Sequence, residues 1–78
     1  MAEFSVEVTP ASGGWAVLCS AIDPPLMFRS GRRAEDQARR LAECLAGLGH
    51  AVRVQVRDRS GSVIGLQAYP PAGALEAA

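Results

Sequence analysis

The sequence predicts a two-layer α+β domain, in which a mainly antiparallel sheet of about four to five strands carries one helix on one face. Two observations predict this class. Residues Ala51–Tyr69 have the pattern of a β-hairpin, and the stretch from Gly31 or Arg32 to Leu48 has the pattern of an amphipathic helix. Because one such helix covers only one face of a sheet, we expect the other face to be uncovered.

The hairpin is the clearest element. Apolar and polar residues alternate over Val52–Val56, and Val63–Tyr69 returns as the second strand. Asp58 and Gly61 supply the turn, since an aspartate side chain accepts bonds from nearby amides and glycine adopts a positive φ. Strict alternation places the valines on one face and the polar residues on the other, so the ribbon needs an apolar layer beneath it.

Two strands are predicted before the helix. Alternation over Phe4–Thr9 indicates a strand with one apolar face. The following strand, Trp15–Ser20, is apolar on both faces, and Ala16 and Leu18 lie on the face opposite Trp15. This strand is therefore central, or its second apolar face is covered by something else.

A loop and a short strand lead into the helix. Ala21–Pro25 is predicted to be a loop, because Asp-Pro-Pro sustains neither a helix nor a β-ladder. Leu26–Phe28 is predicted to be a short third strand, and Ser30 to cap the helix. The apolar stripe of the helix comprises Ala34, Ala38, Leu41, Leu45 and Leu48, with Ala42 and Cys44 beside it.

The helix is expected to carry two favourable ion pairs and a glycine stop. Glu35 with Arg39, and Asp36 with Arg40, are acid-first pairs four residues apart. Gly49 ends the helix in a left-handed conformation, and His50 follows near the negative end of the helix dipole.

The boundaries are predicted as one domain over residues 1–70 and a disordered tail over residues 71–78. Its core is expected to depend on Trp15, Phe4, Phe28 and the valines. The first five residues show neither a basic nor a hydrophobic signal segment, so we expect a small cytoplasmic bacterial protein without a membrane span.

Charge and cysteine content argue against several partners. The net charge is zero and all eight basic residues are arginine, so the whole chain is not drawn to nucleic acid or to anionic membrane. Cys19 and Cys44 are expected to be buried reduced thiols, although a disulfide is conceivable if their strand and helix face each other.

Several segments resemble a short bacterial family known only as a domain of unknown function. The resemblance covers about residues 4 to 69, and the matching segments are Gly13–Val17, Phe28 with Ser30, Ala34–Ala42, and Val54–Gly61 with Tyr69. The chain departs from that family in its Pro-Pro segment before Leu26 and in its alanine-rich end. The resemblance implies the same order of elements, and it adds no catalytic residue.

No residue pattern indicates an enzyme, a metal site or a cofactor. The one histidine, His50, sits beside a helix-ending glycine, and Cys19 and Cys44 stand at none of the short spacings typical of zinc sites. Asp58 is explained by the turn. An enzymatic function would require a second subunit to complete a site, and we predict no catalytic residue.

One candidate surface is a nucleic-acid interface. Arg53, Gln55 and Arg57 are predicted to form a row on the uncovered sheet face, with Arg59 at the tip of the turn and Tyr69 on the same face if the register holds. Arginine and aromatic side chains on a sheet bind single strands by charge and stacking. Glu7 is expected on the same face and would offset this charge.

The preferred candidate is a homodimer or protein-partner interface. Ala16 and Leu18 are expected to be uncovered, near a thin position of the sheet at Gly65, and such apolar surface is what a partner buries. Alternatively, the segment 70–78 or the loop Asp23–Pro25 covers this patch. No small-molecule substrate is evident.

Overall fold

The computed structural model describes residues 3–72. The elements in chain order are β1 (Glu3–Ala11), β2 (Gly14–Cys19), β3 (Ile22–Phe28), α1 (Gly31–Gly47), β4 (Ala51–Arg57) and β5 (Val63–Tyr69). The five strands form one sheet in the order β3-β2-β1-β4-β5. Helix α1 packs mainly on β1, β4 and β2. The predicted two-layer α+β class, with one helix on one face, is confirmed.

The sheet is mixed, because its central pair is parallel. β1 and β4 run in the same direction with Val6 opposite Val54, whereas the other neighbours are antiparallel. Parallel neighbours need a long connection. β2, β3 and α1 together form that connection, which returns the chain to the open side of β1.

The prediction of a loop over Ala21–Pro25 is wrong for all but its first residue. β3 already begins at Ile22 and includes Pro24 and Pro25, with a cis peptide bond between Asp23 and Pro24. Its register with β2 shifts between Cys19 and Val17, so the prolines sit at an irregularity of the ladder. Proline is tolerated there because β3 is an edge strand and a bulge relieves the missing donors.

Small side chains form the core. The largest fully buried side chains are Val6, Val8 and Val17, and the buried helix residues are Ala34, Ala38, Ala42 and Ala46. The predicted aromatic core is only partly right. Trp15 and Phe28 pack half-buried at its margin, and Phe4 is half-buried with its ring edge-on to His50 at 4.8 Å.

The predicted helix stripe also needs correction at its C-terminal end. Leu41 and Leu45 are half-buried against the core, but Leu48 is 69% exposed because it is the C-cap and lies past the last turn over the sheet. The fully buried residues of the helix are alanines, and the leucines of the predicted stripe lie beside them. The apolar core is therefore thin for a domain of this size.

Both helix ends follow the sequence signals. The Ser30 hydroxyl accepts a hydrogen bond from the Arg33 amide at 3.0 Å. At the other end Gly49, with φ +98°, donates to the Ala46 carbonyl, and the His50 amide donates to the Leu45 carbonyl. This pair of bonds is a Schellman motif. Within residues 3–72, no helix is long and apolar enough to cross a bilayer.

The segment after β5 returns to the helix end. The Ala72 amide donates to the Ala46 carbonyl at 2.7 Å, and Pro71 is half-buried. The predicted disordered tail therefore begins with an ordered contact, and the rest of that prediction, residues 73–78, lies outside the described residues. Up to Ala72 the chain runs towards the helix C-terminus, not across the uncovered sheet face.

Two surface predictions are corrected. Asp36 pairs with Arg39 at 3.6 Å, three residues on, and not with Arg40; Glu35 is in no ion pair formed by the described residues. Cys19 is buried, Cys44 is exposed, and both are free thiols. The expectation of two buried thiols is thus half right, because Cys44 flanks the apolar stripe on its solvent side.

Candidate interaction surface

The sheet face opposite the helix has a polar centre. On β1 and β4, Glu7 and Arg57 form an ion pair with Oε2 and Nε 3.2 Å apart, and Glu3 and Arg53 form a longer one at 3.8 Å. The Arg57 guanidinium also donates to the carbonyl of Gly61 at 2.8 Å. The centre of this face is therefore charge-compensated.

Arg53 and Arg57 of the predicted nucleic-acid row lie on the uncovered sheet face, where they pair with Ala68 and Val63 of β5. Arg53 and Arg57 are both paired with glutamates, as the expected position of Glu7 suggested. Tyr69 pairs with Val52 and packs on the helix-side core, so it lies on the opposite face from the arginines. Arg59 lies with its guanidinium carbon 5.2 Å from the Trp15 ring centroid.

The predicted apolar patch on β2 is smaller than expected. Ala16 is only 5% exposed, because neighbouring strands place Thr9 and Met27 on either side of its short side chain. Leu18 is 38% exposed and Met27 is 59% exposed. Gly65 is not close to this patch, because it lies on β5, with β1 and β4 between.

β5 presents its apolar side chains away from the core. Its register places Gly65, Gln67 and Tyr69 on the helix side, opposite Val56, Val54 and Val52. Leu66 and Ala68 face the other way, opposite Gln55 and Arg53. Ile64, the extra residue of a β-bulge, precedes Gly65 and therefore points to the same side as Leu66.

This inverted pattern leaves large apolar side chains in water. Val63 is 47% exposed, Ile64 65% and Leu66 68%, and none of the seven β5 residues is buried. We call Val63–Tyr69 the open edge, because β5 is an end strand of the sheet and no other strand within residues 3–72 pairs with its outer side. Its sequence contains no charge and no proline, the usual protections of an edge.

The turn at the start of the open edge is tightly organised. Asp58 Oδ1 accepts hydrogen bonds from the Ser60 hydroxyl at 2.6 Å and from the amides of Ser60 and Ser62. Gly61 has φ +89° and donates to the Asp58 carbonyl. The Ser60 hydroxyl, followed by these amides, lowers the pKa of Asp58 below its ordinary value. The predicted turn is confirmed.

The chemistry-bearing side chains of residues 3–72 are dispersed. They include no group of three or more metal-ligating residues and no buried polar side chain. His50 packs on Phe4, and Asp58 belongs to the turn.

Comparison with protein-family models, with curated proteins and with solved structures gives no significant match. The resemblance to the bacterial family of unknown function stays an expectation, and the surface must be interpreted from its own geometry.

Sequence reasoning missed the two most exposed large apolar residues of the sheet, Leu66 and Ile64, together with Val63 on the same strand. The strand itself was predicted, but which of its side chains face the helix and which face solvent was not. A signal was present in the alternation of Gly65 and Gln67 with Leu66 and Ala68, which gives the strand one weakly apolar face and one strongly apolar face. Placing the strongly apolar face in solvent required knowledge of the pairing register between β4 and β5, which the bulge shifts.

Proposed function

We propose that this protein is a non-enzymatic protein-interaction module that acts as a homodimer. The observation that carries the proposal is the inverted open edge, where Ile64 and Leu66 are about two-thirds exposed while Gln67 occupies the helix side. Apolar side chains on an end strand are stabilised when a partner removes them from water.

The thin core supports the same proposal. A 78-residue chain buries a modest fraction of its surface. The buried side chains among residues 3–72 are valines, alanines and one cysteine. Small domains commonly gain stability by association. Of the β5 residues, only Tyr69 packs against the core, so this strand gains most from a partner.

The non-enzymatic part of the proposal is supported by how the reactive groups are used. The His50 ring is edge-on to Phe4, and the Asp58 carboxylate accepts hydrogen bonds within its own turn. Glu7 is paired with Arg57. Each has a structural partner, and none lies in an enclosed cavity with another reactive group.

Single-stranded nucleic-acid binding is the alternative, and Arg59 over the Trp15 ring is the observation that favours it. The glutamates paired with Arg53 and Arg57 weigh against it, because a phosphate would have to displace them. We therefore rank it second.

Sedimentation equilibrium of the full chain tests the proposed function. Over concentrations from low to hundreds of micromolar, we expect the average mass to rise from that of the 8.2 kDa chain towards twice that value. A mass that stays at 8.2 kDa throughout would overturn the homodimer proposal.

A further inference from the structure

We infer that the partner is a second copy whose β5 pairs antiparallel with β5 of the first copy, so that Leu66 lies on the twofold axis. This inference rests on the proposed function and specifies its interface. It joins two five-stranded sheets edge to edge into one continuous sheet, with both helices on the same side.

The limits of β5 determine the register. The strand runs from Val63 to Tyr69, and it is preceded by the Asp58 turn and followed by Pro70, which has no amide donor. An antiparallel strand that pairs with its own copy over this whole length is centred on Leu66. Any shift would place strand residues opposite the turn or Pro70 and lose backbone hydrogen bonds.

The side chains match in this register. Leu66 meets Leu66 of the other copy, and Ile64 meets Ala68, so the largest exposed groups pair on the uncovered face. On the helix side Gln67 meets Gly65, where the missing side chain leaves room. The bulge at Ile64 lies at the turn end of β5, so Gly65 to Tyr69 is left as a regular strand.

Charge and edge chemistry favour a second copy over an open chain of molecules. β5 contains no charged residue, so two copies meet without like-charge repulsion. The opposite end of the sheet, β3, contains Asp23, Pro24 and Pro25, which disfavour strand addition. Pairing through β5 alone closes after two copies.

A charge-exchange experiment at Leu66 tests the register. Leu66→Arg and Leu66→Glu each place like charges together across the axis, whereas a mixture of the two variants places opposite charges there. We expect the dissociation constant of the homodimer to rise about tenfold or more for each variant alone, so that each is monomeric. We expect the mixture of the two variants to recover the dimer. Leu66 is 68% exposed, and circular dichroism of each variant verifies folding.

Leu18→Arg is the matched control, because Leu18 is an exposed leucine on the same sheet face but on β2. We expect this variant to dimerise like the unaltered chain. If Leu66→Arg dimerises normally and Leu18→Arg does not, the copies associate through β2, so this inference fails while the homodimer proposal stands. If the two Leu66 variants remain monomeric when mixed, Leu66 does not face itself and the register is wrong.

Discussion

The two end strands of the sheet, β3 and β5, differ in how their exposed backbone edges are protected. β3 and β5 are both seven-residue edge strands without a buried residue. β3 carries Asp23 and two prolines, and it packs Ile22, Leu26 and Phe28 against the core. β5 carries neither charge nor proline, and only Tyr69 packs inward.

The difference between the two strands is in their protection against pairing with another strand. Exposed strand edges are sites of unwanted pairing, and proline and charge are common ways to prevent it. β3 has that protection and is also anchored by its side chains. β5 lacks that protection and is anchored by Tyr69 alone, while Ile64 and Leu66 face away from the helix, so we interpret β5 as a pairing surface.

Removing the protection of β3 should give the largest effect. Pro25→Thr restores an amide donor at that edge, and we expect assemblies larger than a dimer that grow with concentration. Light scattering after size exclusion measures their mass. Met27→Thr, which alters β3 but keeps both prolines, should remain dimeric; if both variants stay dimeric, the prolines do not protect this edge.

Truncations should separate anchoring from association. Phe28→Ala on β3 removes a half-buried ring and should lower the free energy of unfolding by about 2 kcal/mol. Leu66→Ala should change it by less than about 0.5 kcal/mol in dilute, monomeric protein, because that side chain is exposed. Denaturant unfolding measures both, and equal losses would contradict the contrast between the strands.

The turn before β5 should respond to acid. The pKa of Asp58 is lowered in the folded protein, so its stabilising effect is complete above the ordinary value of 3.8 and is lost as the pH falls below it towards the folded pKa. Asp58→Asn keeps an acceptor oxygen but cannot titrate. We expect its unfolding midpoint to depend less on pH in that range than the unaltered chain's; identical pH profiles would contradict the role assigned to Asp58.

The smallest effect is expected at the arginines of the sheet centre. Because Arg53 and Arg57 are paired with glutamates, the double variant Arg53→Gln, Arg57→Gln should bind a short single-stranded DNA no more weakly than the unaltered chain at low salt. Fluorescence anisotropy measures this. Salt-sensitive binding that the double variant loses would favour the nucleic-acid alternative.

Local sequence signals predicted the helix and most strands and turns, but they did not predict which distant strands pair. Ser30, Gly49 and the Asp58 turn act through neighbours in sequence, so their roles were readable. The parallel pairing of β1 with β4 has no local signal. The prolines of β3 predicted a loop because a strand tolerates proline only at the edge of a sheet. That β3 is an edge strand is known only from the sheet topology.

The sequence predicted that one sheet face is uncovered, but it did not predict which apolar residues are exposed on that face. An uncovered sheet face follows from having one helix, but the exposure of a given residue depends on its neighbours. Ala16 is buried because larger side chains flank it, and Tyr69 lies on the helix side because the bulge determines the register of β5. The most exposed leucine of the sheet, Leu66, therefore emerged only from the structure.

Residue-resolved hydrogen exchange at low and high protein concentration tests the central claim most directly, because it compares both edges in one sample. We predict that amide protection in β5 increases with concentration, as copies pair through Leu66 and its neighbours, while protection in β3 does not change. Protection that increases in β3, or that is independent of concentration in both strands, would contradict the account.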